Sequence, residues 1–232
     1  MNIRSISPFA LILAAVALSG CHTLVGSAFA PTVLGNGKMK TITLPFKASD
    51  IKEIDLSGAV LVEADPSQKN VTFETDENIS PKFKFTLKGG VLRGELENGK
   101  YSYEKAVIRL SPIALEAIRL SGASSAKITG YKSPELVVEL TGASKVDLKG
   151  EVKKLKVSAS GASKFEISPQ TNVEVDLSAT GASKIVVPGS LYGTMRASGA
   201  SKVAHGKLSN SHSISASGAS SVEEIGPSNN MP

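Results

Sequence analysis

The sequence is poor in the residue types that most often build catalytic and metal sites. Among 232 residues there is one cysteine, no tryptophan and only three histidines. A single cysteine excludes an internal disulfide, and no cysteine and histidine spacing typical of zinc is present. No Ser-His-Asp set and no glycine-rich nucleotide-binding loop is recognisable either. We therefore expect no catalytic residue, no metal site and no cofactor.

Charge and aromatic content are also low. The net charge of +5 is too small, over this length, to indicate a nucleic-acid-binding protein. Aromatic residues make up only 5% of the chain. A hydrophobic core must therefore be built from Val, Ile, Leu and Ala.

Residues 1–20 have the pattern of a signal peptide. Arg4 precedes an apolar run over residues 8–18, which is shorter than the about 20 residues that a membrane-spanning helix needs. The run ends in Leu18-Ser19-Gly20-Cys21, which resembles a bacterial lipobox. That resemblance implies cleavage before Cys21 and a lipid on its thiol. We expect attachment to a membrane in the cell envelope, with residues 21–40 as a lipidated tether.

The residue after Cys21 is His22 and not the Asp that resembles an inner-membrane retention signal. If the host has two membranes, the outer membrane is therefore the expected location.

The second half of the chain repeats one phrase, Ser/Thr-Gly-Ala-Ser-Lys/Ser. It occurs six times with glycines 20, 19, 20, 18 and 19 residues apart, and a weaker copy surrounds Gly58. A fixed period near 19 residues is typical of a stacked repeat architecture. The glycines of this phrase, here called the corner glycines, are Gly58, Gly122, Gly142, Gly161, Gly181, Gly199 and Gly218.

Apolar residues recur at even distances from the six regular corner glycines. They stand four before, two before and four after each glycine, which is the period of a strand with one buried face. Two short strands and two turns in about 19 residues leave no room for a helix. The sequence therefore predicts an all-β fold, a right-handed parallel β-helix over residues 41–226 with a tail at 227–232.

The part of this β-helix before Gly122 is less regular. Residues 82–96 alternate polar and apolar side chains on both sides of Gly89-Gly90, which predicts a β-hairpin. Gly58 and Gly122 are 64 residues apart, slightly more than three periods. Residues 60–115 are thus either degenerate rungs of the β-helix or a hairpin cap.

Three segments together resemble a bacterial family, the putative auto-transporter adhesin, head GIN domain family. They are Gly35-Asn36-Gly37, the stretch from Ile54 to Ala59, and the stretch from Leu115 to Ala123. The resemblance covers about residues 33–225. It implies a parallel β-helix on the cell surface and brings no catalytic residues.

One departure from the family pattern concerns charge. Where the family often has Gly-Asp, this chain has Ser-Lys in four consecutive repeats. Alternation predicts that these lysines face outward on successive rungs. The lysine ladder consists of Lys145, Lys164, Lys184 and Lys202.

The lysine ladder has two interpretations. It is either a binding strip for a polyanion, such as lipopolysaccharide, teichoic acid or an acidic polysaccharide, or a solubilising face that prevents edge-to-edge aggregation. We expect a structural role for the serine two residues after each corner glycine. We also expect His205 to fill the interior of a late rung.

The leading hypothesis is a lipid-anchored surface protein that binds a surface polymer or a partner protein. A carbohydrate-active enzyme on the same scaffold is one alternative. A structural envelope component that stacks end to end is another.

Overall fold

The computed structural model describes residues 31–226. The expected signal peptide, the lipidation site at Cys21 and the tail at 227–232 lie outside these residues. The described part holds two single-turn 3-10 helices, Ala48–Asp50 and Ser80–Lys82. No helix in residues 31–226 is long and apolar enough to cross a bilayer.

Seventeen strands make up the rest of the regular structure. The first nine are β1 (Thr32–Leu34), β2 (Met39–Thr43), β3 (Glu53–Leu56), β4 (Leu61–Ala64), β5 (Thr72–Asp76), β6 (Phe83–Lys88), β7 (Val91–Leu96), β8 (Lys100–Ser102) and β9 (Ala106–Leu110). The remaining eight are β10 (Ala117–Leu120), β11 (Ser125–Leu140), β12 (Lys145–Ala159), β13 (Lys164–Ile167), β14 (Gln170–Ala179), β15 (Lys184–Ala197), β16 (Lys202–Ala216) and β17 (Ser221–Glu224).

These strands wind into a parallel β-solenoid of about five turns with rungs of about 20 residues. The strands that precede the corner glycines stack in one sheet, here called the first sheet. Those that follow the corner glycines stack in the second sheet. Pairing within both sheets is parallel from β3 and β4 onward, as in Val138↔Val157 and Val146↔Phe165. The predicted all-β parallel solenoid is confirmed.

The core lies between the two sheets. The apolar positions that flank the six regular corner glycines are buried in every rung except the last. Met195 and Val203 are fully buried, for example, whereas their counterparts Ile214 and Val222 are exposed and half-buried. The end of the core column is therefore open to solvent in the described chain.

Each corner is a tight stack of glycine backbone. The seven corner glycines all have positive φ, from 71° to 99°, a region that other residues rarely adopt. A Cβ on Gly161 would lie 2.6 Å from the carbonyl oxygen of Gly142 in the rung below. Across the same corner, the Ala162 amide donates to the Gly142 oxygen at 2.7 Å. Glycine is thus required for both conformation and spacing.

Contrary to the sequence prediction, the second turn of most rungs is not a separate turn between two strands. In β11, β12, β15 and β16 the strand continues through it, and the ladder shows a register shift instead. Gly130 and Gly189 have positive φ at such shifts. Between β13 and β14, in contrast, the strand is interrupted at Ser168 and Pro169.

The N-terminal part combines the two arrangements that the sequence left open. The predicted hairpin is present as β6 and β7, which pair antiparallel around Gly89-Gly90. β7 pairs in parallel with β3, and β9 with β4, so residues 91–110 form an additional rung below the first one. Antiparallel strands β6, β5 and β2 then cover that rung.

The folded part begins before residue 41, the expected first residue of the β-helix. β1 pairs with β8, and the Gly35-Asn36-Gly37 segment wraps around the buried carboxylate of Asp76. One oxygen of Asp76 accepts a hydrogen bond from the Gly37 amide at 2.7 Å, and the other accepts one from the Glu104 amide at 3.0 Å. Asp76 thereby links the N-terminal segment to β5 and to the residues just before β9.

Candidate functional site

The four lysines of the ladder are in register on consecutive rungs. The parallel pairing places Lys145 opposite Lys164, Lys164 opposite Lys184, and Lys184 opposite Lys202. Neighbouring strands in a sheet lie about 4.8 Å apart, so the four backbones span about 14 Å. Ser125 and Ser221 occupy the same column on the rungs before and after. The predicted row of cations on the second sheet is therefore present.

The lysines differ in their partners. The Lys164 Nζ lies 2.8 Å from Glu166 Oε2, and the Lys202 Nζ lies 2.5 Å from Glu223 Oε2. The ammonium of Lys202 lowers the pKa of the Glu223 carboxyl below its ordinary value. Within residues 31–226, no carboxylate lies within 4.0 Å of the ammonium groups of Lys145 and Lys184. Both of these side chains are exposed and can receive an anionic group from outside.

The column beside the ladder is acidic at both ends, with Glu223 on the last rung, and apolar between them. Asp147 and Glu166 face outward two residues after Lys145 and Lys164. Val186 and Ala204 occupy the same column on the next two rungs and are largely buried. Acidic side chains therefore offset the first two lysines more than the Lys184 position.

The outer face of the first sheet has a different charge pattern. Arg119 bridges Glu53 and Glu139, with its Nε 3.0 Å from the Glu139 carboxylate. These two carboxylates raise the pKa of the Arg119 guanidinium. Two further arginines pair with aspartates at about the same distance: Arg93 with Asp55 at 2.9 Å, and Arg196 with Asp176 at 3.0 Å. Opposite charges alternate there, whereas the lysine ladder repeats one sign.

The serines two residues after the corner glycines are structural, as the sequence predicted. Ser183 Oγ donates to the Ala159 carbonyl at 3.0 Å, and Ser201 Oγ donates to the Ala179 carbonyl at 2.9 Å. The acceptor is in each case the residue two before the corner glycine of the rung below. Ser124 and Ser163 are equally buried, but their hydroxyls make no hydrogen bond. These hydroxyls face the core and are not available to a ligand.

The two histidines within residues 31–226 have different surroundings. His205 is 3% exposed, lies opposite Val187 in the interior column, and its Nδ1 is 2.7 Å from the Gly206 carbonyl. The expectation that it fills a late rung is confirmed. His212 is exposed, with its Nδ1 near the Ser209 carbonyl instead. In the described residues no group of three or more His, Cys, Asp or Glu side chains is arranged to hold a metal ion.

Two open grooves lie beside the second turn of the rungs. One, of about 590 Å³, includes Lys132, Glu151 and Lys153. The other, of about 560 Å³, lies on the opposite side of Ser133 and Pro134 and includes the exposed Ile113. Neither groove contains a lysine of the ladder.

Sequence reasoning missed two features. It did not find the arginine and carboxylate pairs of the first sheet, although alternating signs at equivalent repeat positions, such as Arg119 and Glu139, could have indicated them. It also did not find that the last rung exposes Ile214. The signal was the absence of a further repeat after Ser221.

Comparison with solved structures identifies the same fold in several bacterial proteins. A putative adhesin from Parabacteroides distasonis is 19% identical, with a TM-score of 0.60, over 84% of this chain and 100% of the other. A putative adhesin from Bacteroides fragilis is 14% identical, with a TM-score of 0.60, over 83% and 100%. A putative lipid binding protein from Parabacteroides distasonis is 17% identical, with a TM-score of 0.56, over 84% and 100%.

A comparison with curated proteins finds no match. A family model, in contrast, matches residues 50–227, which include all seven corner glycines and the lysine ladder. The resemblance inferred from the sequence is thereby confirmed. The chain belongs to the family described as putative auto-transporter adhesin, head GIN domain.

Proposed function

We propose that this adhesin-like surface protein is a binding module, not an enzyme, and that it holds an acidic polymer along the lysine ladder. The observation that carries the proposal is the register of Lys145, Lys164, Lys184 and Lys202 on four consecutive rungs. Like charges in such a row repel one another, which lowers the stability of the fold. An anionic ligand bound along the row would offset this repulsion. A linear polyanion that lies along the solenoid axis would contact all four ammonium groups.

The contrast between the lysine ladder and the first sheet supports a ligand over mere solubility. A solubilising face is served equally well by mixed charges, and the first sheet carries such a face around Arg119. The ladder keeps one sign, and two of its ammonium groups have no carboxylate partner in the described chain. Candidate ligands are an acidic polysaccharide, the phosphates of lipopolysaccharide, and teichoic acid.

The proposal includes anchoring at the cell envelope through a lipid on Cys21, in the outer membrane if the host has two membranes. Its support is the position of the sole cysteine directly after an apolar run. Metabolic labelling with a fatty acid should mark the chain and should not mark a Cys21→Ser variant. Equal labelling of both would overturn the anchor without affecting the proposal for the ladder.

The binding test uses a variant in which all four ladder lysines become serine. Serine is suitable because Ser125 and Ser221 already occupy this column. The matched control replaces four exposed lysines outside the ladder, Lys69, Lys153, Lys156 and Lys207, with serine, so both variants lose four positive charges.

The purified full-length chain in mild detergent is titrated with pectate, lipopolysaccharide and teichoic acid at low and high salt. We expect binding by the native chain and the control, loss of binding by the ladder variant, and weakening with salt. Equal loss in both variants would indicate non-specific attraction by net charge. Undiminished binding by the ladder variant would overturn the proposal.

A further inference from the structure

The two ends of the solenoid differ in charge, and both leave strand edges unpaired. At the C-terminal end, β17 and residues 213–216 of β16 pair on one side only within the described chain. At the N-terminal end the same holds for β2 and β6. An unpaired edge presents free amide and carbonyl groups to another strand.

Apolar core residues accompany these edges. Ile214 is 44% exposed, whereas its counterpart Met195 one rung below is fully buried. Val222 is half-buried where Val203 is fully buried. At the other end Ile42, Phe85 and Leu87 are only partly buried. Each end therefore offers apolar surface beside an open edge.

The charges of the two ends are complementary. β17 has two acidic residues, Glu224 and Glu223, of which Glu223 also pairs with Lys202, and no basic one. β2 and β6 together have three lysines and no acidic residue: Lys40, Lys88 and Lys84, the last of which lies 3.6 Å from a Glu97 carboxylate oxygen. Contact between two C-terminal ends would bring acids together, whereas contact between a C-terminal and an N-terminal end would bring acids to lysines.

Strand direction also suits contact between unlike ends. β5 runs antiparallel to β9, and β2 runs antiparallel to β5, so β2 recovers the direction of the second sheet. β17 of one copy could thus continue as a parallel neighbour of β2 of the next. The second sheet extends by two strands beyond β9, and the first by one strand beyond β7. β2 consequently projects farthest toward an incoming β17.

We propose that copies of this chain associate head to tail, with the acidic C-terminal end of one solenoid against the basic N-terminal end of the next. Such a contact uses two different surfaces on each copy, so it repeats and produces linear chains when it does not close into a ring. In those chains the lysine ladders of successive copies would follow one another along a common axis.

The test uses two charge-reversal variants of the full-length chain in mild detergent at low salt. The C-terminal variant carries Glu223→Lys with Glu224→Lys, and the N-terminal variant carries Lys40→Glu with Lys88→Glu. Sedimentation velocity and negative-stain electron microscopy report the size and shape of the particles over a range of concentrations. Circular dichroism melting verifies that each variant is folded.

We expect the native chain to form elongated oligomers with rising concentration. Each variant alone should need at least about tenfold higher concentration, because its two ends now carry like charges. An equimolar mixture should assemble again, since the basic C-terminal end of one variant meets the acidic N-terminal end of the other. A native chain that stays monomeric, or an N-terminal variant that still dimerises alone, would overturn the proposal. Since the binding test does not depend on assembly, the two proposals can fail separately.

Discussion

Lys164 and Lys184 lie directly opposite each other in neighbouring parallel strands, with a further lysine on the rung to either side. Lys164 has a carboxylate partner in Glu166, whereas the Lys184 ammonium has none in the described chain. Repulsion is therefore least compensated at Lys184. This pair is therefore expected to lower the stability of the fold and to favour binding of an anionic group.

Replacement of Lys184 with serine should raise the free energy of unfolding by about 0.3 kcal/mol at low salt, because it removes two like-charge contacts. The gain should shrink as salt screens the ladder. Urea denaturation at low and high salt measures both quantities. A Lys149→Ser variant serves as the control and should show no gain. A loss of stability in Lys184→Ser would show that the ladder is not strained by repulsion.

The buried serines provide a matched comparison. Ser183→Ala removes a hydrogen bond to the Ala159 carbonyl and should cost about 1 kcal/mol of unfolding free energy. Ser163→Ala removes an equally buried hydroxyl that has no partner, so it should be neutral or stabilising. Chemical denaturation of both variants tests the difference. Equal destabilisation would mean that the Ser163 hydroxyl also makes a hydrogen bond.

The corner glycines should tolerate alanine unequally. Gly161→Ala should lower the free energy of unfolding by about 1–2 kcal/mol because alanine disfavours positive φ. It also places a Cβ 2.6 Å from the Gly142 oxygen. Gly58→Ala should lose only the stability that positive φ costs an alanine, because nothing lies within 4 Å of its Cβ position. Thermal unfolding should therefore show a clearly larger loss for Gly161→Ala. Similar losses would assign the requirement for glycine to conformation only.

Asp65 provides a test by pH. Hydrogen bonds from Ser67 and Thr129 lower the pKa of its carboxyl from 3.8 to about 2. Because the pKa is lower in the folded state, the associated stability is present above pH 3.8 and is lost as pH falls toward 2.

Carbon NMR of the Asp65 carboxyl should follow this titration directly. A Thr129→Val variant, which removes one of the two donors, should shift the pKa back toward 3.8. An unchanged pKa in that variant would assign the effect to Ser67 alone.

The repeats let much of the fold be read from the sequence. The period fixed the register of the lysine ladder because Lys164 and Lys184 hold the same place in successive phrases. No comparable pattern indicated that residues 91–110 would lie outside the rung formed by β3 and β4. That choice depends on contacts between distant segments, which local alternation does not encode. The register shift inside β11 was not predicted, because a glycine such as Gly130 is compatible with either a turn or a bulge.

The insertion of residues 91–110 below the first rung has a kinetic consequence. From Gly122 onward each rung pairs with the one about 20 residues away, so pairing there can spread from neighbour to neighbour. At the N-terminal end, β3 pairs with β10 on one side and with β7 on the other. In the pairing with β10, Glu53 lies opposite Ala117, which is 64 residues later in the chain. Loop closure over such a separation slows folding. The first strands to leave the ribosome are thus expected to be among the last to reach their final partners.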